Sequence, residues 1–374
     1  MSAQAIGASA QPLPAEMTVA VLDRPLALRL EQRPLPTPGP GEVLIQIRAV
    51  GVCGSDVHFW QSGRIGDFVV RAPLVLGHES AGVVAKVGPD VTSLRPGDRV
   101  ALEPGVPCRK CDACRTGHYN LCPDVVFMAT PPIDGTFAQY FVHPADFAYK
   151  LPDNVCLDEG ALLEPLSVGI HAVRRADLRL GQTVLVTGSG PIGLTALLAA
   201  KAAGASRVYV SDVVTSRLDV ARQLGATDVI DVRDKDLASE IARLTSGAGV
   251  DVVIECSGAA PVQTAAIGAL KRGGVLALVG LGGNEVVLSA SAMNAKEIDV
   301  RGVFRYSNTY PTAVELVASG QVNLKPLVTH HFALTDIEQA METAHSRIGG
   351  AIKVIVCPAP SEPTGEQAGR GLGA

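Results

Sequence analysis

Short apolar and β-branched runs, separated by Pro- and Gly-rich turns, make up the chain from Thr18 to about Pro152. They include TVAVL, EVLIQIRAVGV, SAGVVAKVG, RVALEP and FAQYFVHP. Runs of this length with turn residues between them are typical of β-strands. This region is therefore predicted to form a small β-barrel or sandwich and not an α/β unit.

The segment Asp158–Arg175 has the charge polarity of a helix. It begins with acidic residues, continues with apolar residues at helical spacing and ends with two arginines. That order suits the helix dipole and predicts a helix over this segment. Pro165 lies inside the pattern, and because proline lacks a backbone donor, the helix should break or kink there.

Strand-like and helix-like segments alternate from Thr183 onwards. TVLVTG leads into PIGLTALLAAKAAG, and RVYVSD, SRLDVARQLGA, VDVVIECSG and VLALVGL follow. Most of these strands are apolar throughout, which is the pattern of a parallel sheet covered on both faces. The predicted fold class is therefore α/β plus β, with a β-rich part followed by a doubly wound sheet.

The end of the chain is predicted to rejoin the first domain. After about Phe304 the sequence gives a helix, a short strand, a second helix and a final strand. The first domain would then be discontinuous, with residues 17–163 and 305–358 enclosing a second domain at 164–304. The functional cleft should lie where the two domains meet. The small, polar, Pro-containing termini, residues 1–16 and 359–374, are expected to be disordered tails.

Composition narrows the class of protein. A chain of 374 residues is too long for one compact core, which favours two domains. A formal net charge of −5 gives no electrostatic reason to expect nucleic acid or an anionic membrane as partner. No apolar run is long enough to span a bilayer, and the N-terminal residues lack the pattern of a secretory signal. The cytoplasm is the expected compartment, with the eight cysteines binding metal or staying reduced.

A glycine motif at the start of the α/β part predicts a dinucleotide site. Gly188, Gly190 and Gly193 follow a strand and open a helix, and Asp212 ends the next strand. The glycines allow a tight turn and close approach of pyrophosphate, while the carboxylate suits ribose hydroxyls and repels a 2′-phosphate. NAD is therefore favoured over NADP. Arg217 keeps NADP open, since a nearby arginine pairs with a 2′-phosphate.

Four cysteines within fifteen residues predict a closed metal site. Four thiolates at such spacings can surround one zinc tetrahedrally and leave no open position, so the site is predicted to be structural. The surrounding sequence offers little apolar core, and a metal would supply the missing rigidity. The four are Cys108, Cys111, Cys114 and Cys122.

A second set of ligand types predicts a catalytic metal site. Cys53 is followed by the adjacent pair His78 and Glu79. A thiolate, an imidazole and a carboxylate suit zinc, and three protein ligands leave one position for water or substrate. Glu164 lies in the apolar run ALLEPLSV, where an acid is costly to bury without a cation or a proton. The alternative for Glu164 is stabilisation of a helix N-terminus.

Three further residues are candidates for handling substrate. Ser55 and His58 are suited to carrying a proton from a substrate hydroxyl to solvent, although both types also serve in turns and caps. Arg305 follows the last strand of the α/β part, at the edge where ligands bind. It can donate to a polyhydroxylated substrate or to the nicotinamide end of the cofactor, or it is a solvated arginine.

The chain closely resembles the zinc-containing medium-chain dehydrogenases and, within them, the polyol branch that includes sorbitol and xylitol dehydrogenases. The resemblance runs from Thr18 to Cys357, and LEPLSVG and FRYSNTYP set the polyol branch apart from ordinary alcohol dehydrogenases. The segments that carry it are VCGSDVHFW, GRIGDF, LGHE, GDRVALEPG, the four-cysteine loop, ATPP, LEPLSVGIHA, GSGPIG, GVFRYSNTYP and KPLVTH.

The resemblance implies a GroES-like catalytic domain, a Rossmann NAD-binding domain and a homotetramer. It assigns the catalytic zinc to Cys53, His78 and Glu79, with Glu164 approaching the metal directly or through water. Residues expected at the polyol site are Ser55, Phe59, Phe127, Glu164, Arg305 and Tyr306. Residues expected to bind NAD are Gly188, Gly190, Ile192, Gly193, Asp212, Arg217, Val279, Gly280, Leu281, Val303, Phe304 and Arg305.

Two departures from the family pattern alter the expectation. Phe59 stands where sorbitol dehydrogenases often carry tyrosine, so one hydroxyl contact to the substrate is expected to be missing. The four-cysteine set is complete, whereas animal sorbitol dehydrogenases have lost part of it. Two zincs per chain, one catalytic and one structural, are therefore expected.

The expected activity is zinc-dependent oxidation of a sugar alcohol to a ketose with hydride transfer to NAD. Zinc would lower the pKa of the substrate hydroxyl, and the proton would leave through Ser55, water, and His58 or Glu164. The alternatives are a zinc dehydrogenase for simple alcohols or threonine, an L-arabinitol dehydrogenase, an NADP-linked reductase of the same superfamily, and a non-catalytic NAD- or zinc-binding protein.

Overall fold

A computed structural model describes residues 12–283 and 285–359. Residues 1–11 and 360–374 of the two predicted tails lie outside these ranges. Among the tail residues that are described, Glu16 begins the first strand and Ala359 is buried. Within the described ranges, no helix is long and apolar enough to cross a membrane.

The first part of the described chain is rich in short strands, as its sequence pattern predicts. Its helical elements are α1 (Gly54–Ser62), α2 (Asp112–Arg115) and 3-10 turns at Tyr119–Leu121 and Ala145–Phe147. Its strands are β1 (Glu16–Arg24), β2 (Ala27–Pro34), β3 (Glu42–Gly51), β4 (Arg64–Ile65), β5 (Phe68–Val69), β6 (Leu74–Val75), β7 (Glu79–Val87), β8 (Arg99–Leu102), β9 (Gly105–Val106), β10 (Val126–Phe127), β11 (Tyr140–Pro144) and β12 (Ala148–Lys150).

Helices and strands alternate in the remainder. The helices are α3 (Leu157–Ala161), α4 (Leu163–Arg175), α5 (Pro191–Ala202), α6 (Thr215–Gln223), α7 (Leu237–Leu244), α8 (Ala260–Ala269), α9 (Ala290–Lys296), α10 (Tyr310–Ala318) and α11 (Ile337–Ser346), with 3-10 turns at Lys325–Leu327, Leu334–Asp336 and Ile348–Gly350. The strands are β13 (Thr183–Thr187), β14 (Arg207–Asp212), β15 (Asp228–Asp231), β16 (Val250–Glu255), β17 (Leu270–Leu278), β18 (Asp299–Gly302), β19 (Val328–Ala333) and β20 (Lys353–Cys357).

The α/β part forms a six-stranded parallel sheet in the order β15-β14-β13-β16-β17-β18. The predicted doubly wound sheet is therefore confirmed. Every residue of β16 is buried, as expected for a central strand covered on both faces. The strand order reverses between β13 and β16, and ligands of such sheets bind at the carboxyl ends of the strands beside that reversal.

The chain returns to the first sheet at its end. β20 pairs antiparallel with β3, through Ile355 opposite Gly51 and Val356 opposite Val50, and β19 lies parallel beside β20. The resulting sheet has the order β12-β8-β7-β3-β20-β19, with β11 also paired to β3. This return brings Lys353, the first residue of β20, into contact with Glu79 of the predicted catalytic metal site.

The predicted helix at Asp158–Arg175 is two helices that meet at Leu162. Pro165 is the third residue of α4, in its first turn, where backbone N–H groups have no partner inside the helix. The break therefore comes three residues before the proline. α4 packs against α5 and α10, which places the start of α4 between the two parts of the chain.

Candidate active site

The three predicted ligands of the catalytic metal come together at one end of β3 and β7. Cys53 lies just after β3, as the N-cap of α1, and Glu79 begins β7 directly opposite Gly51. One ligand atom from each of Cys53, His78 and Glu79 lies within 4.8 Å of the others. The antiparallel register thus joins residues that are far apart in sequence, and this donor set fits a zinc ion with an open position.

Asp56 holds two of these residues in place. Its fully buried carboxylate accepts hydrogen bonds from the Cys53 N–H (2.9 Å) and the Gly77 N–H (3.0 Å). It also lies 3.5 Å from Nδ1 of His78. A carboxylate that orients a ligating imidazole is a common support for metal sites. Asp56 is not among the predicted site residues, although an acid three residues after a helix N-cap is a recognisable capping signal.

Glu79 forms a buried ion pair with Lys353. The lysine Nζ donates to Oε1 (2.7 Å) and Oε2 (2.6 Å) of Glu79 and to the Val52 carbonyl (3.1 Å). Burial disfavours the charged lysine, but the charge of Glu79 outweighs this and raises the pKa of Lys353. The carboxylate keeps further lone pairs for a metal, so the ion pair and the predicted ligand role are compatible.

Glu164 lies beside this cluster, near the start of α4. Tyr306 donates a hydrogen bond to its Oε1 (2.9 Å), and the side chain of Glu164 is 5% exposed. Burial raises the pKa of Glu164 to about 7, while the charge of His78 opposes that rise. Glu164 is also the second residue of α4, where its charge favours the helix dipole. Its position therefore suits both a role near the metal and stabilisation of the helix N-terminus.

Phe127 connects the predicted metal ligands to Arg305. Its ring centroid lies 5.7 Å from that of His78, and the Arg305 guanidinium lies 3.9 Å from the same ring. Arg305 also lies 4.9 Å from the ring of Phe304. Burial lowers the pKa of Arg305. The arginine is therefore fixed against two aromatic rings beside the metal site and is not a freely solvated side chain.

The residues on α1 divide into two groups. Ser55 is partly buried and lies two residues after Cys53, while His58 is exposed one turn further on. Phe59 is buried and belongs to the apolar core of the first domain, together with Trp60. The structure thus keeps Ser55 near the metal ligands and places Phe59 in packing.

The four cysteines of the predicted structural site also converge. Their sulfur atoms all lie within 4.8 Å of one another, with separations of 3.4 Å for Cys111 to Cys114 and 4.0 Å for Cys108 to Cys114. Tetrahedral zinc–thiolate bonds of about 2.3 Å place sulfurs about 3.8 Å apart. Cys122 completes the set, and this geometry fits a closed zinc site.

The glycine motif forms the predicted turn between β13 and α5. Gly188 has a left-handed φ of 83°, and a Cβ on Gly193 would lie 1.7 Å from the Gly188 carbonyl oxygen. Gly190 is the N-cap of α5, with Ile192 in the first turn behind it. These positions leave the helix N-terminus open to a phosphate.

Asp212 closes the other side of this turn. Its Oδ2 accepts from the N–H (2.6 Å) and hydroxyl (2.8 Å) of Ser189, inside the glycine motif. Burial lowers the pKa of Arg217, whose guanidinium lies near Gly190. The carboxylate and the arginine thus both lie beside the glycine turn.

The remaining predicted cofactor residues follow β17 and β18 at the same sheet edge. Glu255, at the end of β16, is fully buried there and accepts from the N–H groups of Ser257 (2.8 Å) and Gly258 (3.1 Å). Glu255 is not among the predicted site residues, and its hydrogen bonds shape the loop beside the predicted cofactor residues. Those residues are Val279, Gly280, Leu281, Val303, Phe304 and Arg305.

Two family models match the chain. The model for the alcohol dehydrogenase GroES-like domain matches residues 39–153, and the model for zinc-binding dehydrogenases matches residues 191–319. The first covers most of the strand-rich part, and the second covers most of the six-stranded sheet.

Known proteins resemble the chain over most of its length. Sorbitol dehydrogenase from Gallus gallus is 49% identical over 344 residues, which is 91% of this chain and 96% of the relative. Sorbitol dehydrogenase from Bos taurus is 50% identical over 345 residues, with 91% and 96% covered. A crystal structure of an Escherichia coli oxidoreductase/dehydrogenase of unknown specificity superposes with a TM-score of 0.89 at 39% identity, covering 92% of this chain and 100% of that structure.

Proposed function

The chain belongs to the zinc-containing medium-chain alcohol dehydrogenase family, and we propose that it oxidises a sugar alcohol to the ketose with hydride transfer to NAD. The observation that carries this proposal is the group of polar side chains beside the metal ligands. Glu164, Tyr306 and Arg305 line one side of the ligand cluster, where a simple alcohol would offer them no partner.

Cys53, His78 and Glu79 would hold the catalytic zinc, supported by Asp56 and Lys353. A zinc ion with an open position acts as a Lewis acid that lowers the pKa of a hydroxyl at that position. The protein's own contribution is to fix the three ligands, exclude bulk water and hold the reacting carbon facing the cofactor.

The substrate's other hydroxyls would bind to the segment around Arg305. The guanidinium donates without accepting, and the Tyr306–Glu164 pair offers carboxylate lone pairs beside it. Such a set suits vicinal hydroxyl groups, and it is consistent with the sorbitol dehydrogenases among the relatives. Phe127 supplies an apolar wall that orients the carbon chain.

The proton released on oxidation needs a path to solvent. Ser55 lies in the partly buried first turn of α1, and the exposed His58 lies one turn further towards solvent. Glu164, whose pKa burial raises to about 7, is the second candidate for receiving it. We assign the relay to Ser55 and His58, with Glu164 holding the substrate hydroxyl.

NAD is the proposed cofactor because Asp212 faces the position of the adenosine ribose. A carboxylate accepts from both ribose hydroxyls and repels a 2′-phosphate. The hydrogen bonds that Ser189 donates hold the carboxylate at the glycine turn. Arg217 is the residue that would stabilise NADP if the preference were reversed.

We extend the proposal to organisation and compartment. The first domain is assigned to residues 17–163 and 305–358 and the second to 164–304, since β19 and β20 pair within the first sheet.

Eight free cysteines suit a reducing compartment such as the cytoplasm. A homotetramer is proposed from the family, with the edge strand β18 and the exposed Val287 as its contact candidates. Light scattering on the purified protein measures the assembly.

A substrate screen tests the function. NADH formation would be followed with sorbitol, xylitol, L-arabinitol, ribitol, galactitol, threonine and ethanol, and repeated with NADP. We expect activity with at least one polyol, little with ethanol or threonine, and preference for NAD. Activity confined to ethanol or threonine would reassign the substrate class. A preference for NADP would overturn the argument from Asp212, and no activity with any alcohol would favour a non-catalytic binding protein.

A further inference from the structure

The loop between Cys114 and Cys122, the last two members of the four-cysteine set, contacts the segment that carries Arg305 and Tyr306. Asn120 Nδ2 donates to the Phe304 carbonyl (2.8 Å), and the Tyr119 hydroxyl accepts from the Asn308 N–H (2.8 Å). Asn308 Nδ2 also donates to the Gly117 carbonyl (2.7 Å). The three loop residues Gly117, Tyr119 and Asn120 all lie between Cys114 and Cys122.

These bonds bracket the proposed polyol-binding residues on both sides. Phe304 and Asn308 are the outer members of the segment, with Arg305 and Tyr306 between them. Arg305 has a φ of 51° and Asn308 a φ of 55°, both in the left-handed region that side chains with a Cβ rarely adopt. Such a conformation persists only where the surroundings hold it.

The same loop is anchored to the strand-rich domain through Glu103. The Tyr119 hydroxyl that accepts from Asn308 donates to Glu103 Oε1 (2.6 Å), and Tyr149 donates to Oε2 (2.9 Å). Glu103 is 1% exposed, so the carboxylate end of this hydrogen-bond network is shielded from water. Hydrogen bonds therefore connect the four-cysteine loop to the backbone on both sides of Arg305.

The loop itself has little apolar core to keep it rigid. α2 contains no buried residue, and three of the four cysteines are only partly buried. Four thiolates closing on one zinc would fix both ends of the Cys114–Cys122 span. Rigidity supplied by a metal at this cluster would then be transmitted to the substrate segment.

We propose that the four-cysteine loop positions the substrate segment, with Asn120 and Tyr119 as positioning residues, so that metal at this cluster is coupled to polyol affinity. The inference rests on the proposed function for the roles of Arg305 and Tyr306. It assigns the second zinc a part in substrate binding in addition to stability.

The test compares Asn120→Ala and Asn308→Gly with the control Leu121→Ala. Leu121 is exposed in the same 3-10 turn, and glycine at 308 removes the side-chain bond while accommodating the left-handed φ. Asn120→Ala also deletes a buried Oδ1 that has no partner, which limits the loss of global stability. Zinc content, thermal unfolding, polyol kinetics and hydrogen exchange would be measured for all three.

We expect the polyol KM to rise about threefold to tenfold in both test variants, with kcat changed by less than about threefold and zinc content unchanged. Peptides covering 304–308 should exchange faster, and those covering the β4–β5 hairpin should not. Cys111→Ser, which disables the cluster, should show the same two effects. An unchanged KM and unchanged exchange in the Asn120 and Asn308 variants would overturn the inference, even where unfolding temperature falls.

The exchange measurement separates this inference from the proposed function. If the wild-type protein oxidises no polyol, the proposed function fails, while faster exchange at 304–308 in Asn120→Ala still supports the positioning role. If the wild type oxidises polyols and both variants match it in KM and exchange, the positioning role fails alone.

Discussion

At the scale of single residues, the predicted ligands of the catalytic metal are held by two buried charged side chains, Asp56 and Lys353. The spacing of the cysteines, of the His–Glu pair and of the glycine motif predicts the function of each set. The structure brings the residues of each set together. Asp56 and Lys353 were missed because their importance depends on partners distant in sequence. In the sequence, Lys353 is a single cation at the start of the final apolar run in AIKVIVC, a position where burial demands an opposite charge.

The buried ion pair gives the first prediction. Lys353→Met leaves Glu79 buried without its cation, which costs about 3–5 kcal/mol in the metal-free protein. Bound zinc supplies the missing positive charge, so the loss should be smaller in the metal-loaded protein. Thermal unfolding with and without a chelator is expected to show a larger effect of zinc on the variant than on the wild type.

Lys86→Met is the matched control for this change. Lys86 is exposed on β7, the strand that Glu79 begins, and its replacement should leave the effect of zinc on unfolding unchanged. Equal destabilisation of the loaded and metal-free Lys353 variant would show that Lys353 stabilises the fold without reference to the metal ligand.

His143 gives a prediction of pH dependence. Nε2 of its buried ring lies 3.0 Å from the Glu103 carbonyl oxygen. Burial lowers the pKa of His143 to about 4, while the hydrogen bond to the Glu103 carbonyl and the charge of Asp146 act in the opposite direction. An unfolded histidine has a pKa of about 6.5, so the unfolded chain takes up this proton first as the pH falls. Stability from neutral His143 is therefore complete above pH 6.5 and is lost towards pH 4, by about 3 kcal/mol at most.

The measurement is the free energy of unfolding between pH 7 and pH 4.5 for the wild type and His143→Gln. The difference between the two proteins cancels the titration of other groups. We expect the wild type to lose more stability than the variant across this range. Parallel curves would contradict the assignment of the slope to His143.

At the scale of elements, the periodicity of the sequence predicted the strands and helices. It did not predict which residues of neighbouring strands lie opposite each other. The sequence predicts that β3 and β7 exist, but the pairing of Gly51 with Glu79 that assembles the metal ligands appears only in the sheet. The break between α3 and α4 also needed the structure. Pro165 predicted an interruption, and the helix restarts early enough for the proline to lie in its first turn.

The glycine turn gives a prediction at this scale. Gly193→Val places a Cβ 1.7 Å from the Gly188 carbonyl oxygen, so the turn must open and the start of α5 must move away from the pyrophosphate position. Crowding of this kind costs about 1–3 kcal/mol in stability. Fluorescence titration is expected to show NADH affinity reduced by at least about tenfold, since the phosphates lose the aligned N–H groups.

Gly302→Ala is the control, because a Cβ there meets no atom within 4 Å and Gly302 is not among the glycines with positive φ. It should bind NADH as the wild type does. Unimpaired NADH binding by Gly193→Val would remove the basis for placing the cofactor at this turn.

At the scale of the whole molecule, the order of the chain explains why the site was only partly predictable. Lys353 is 274 residues away from Glu79 in sequence, and Arg305, which follows the edge strand β18, contacts Phe127 of the strand-rich part. Local patterns predict the two domains, the discontinuity and both sets of metal ligands. They contain no information on which side chains the two parts present to each other, and that arrangement decides the substrate class.

Zinc-dependent polyol oxidation is tested most directly by comparing the wild type with Cys53→Ser. The rate of NADH formation from sorbitol and xylitol and the zinc content would be measured for each protein. We expect about two zincs per wild-type chain, about one per variant chain, and a rate at least about a hundredfold lower in the folded variant because its metal site loses a ligand. A Cys53→Ser protein that keeps the wild-type rate, or a wild type that is fully active with one zinc, would contradict it.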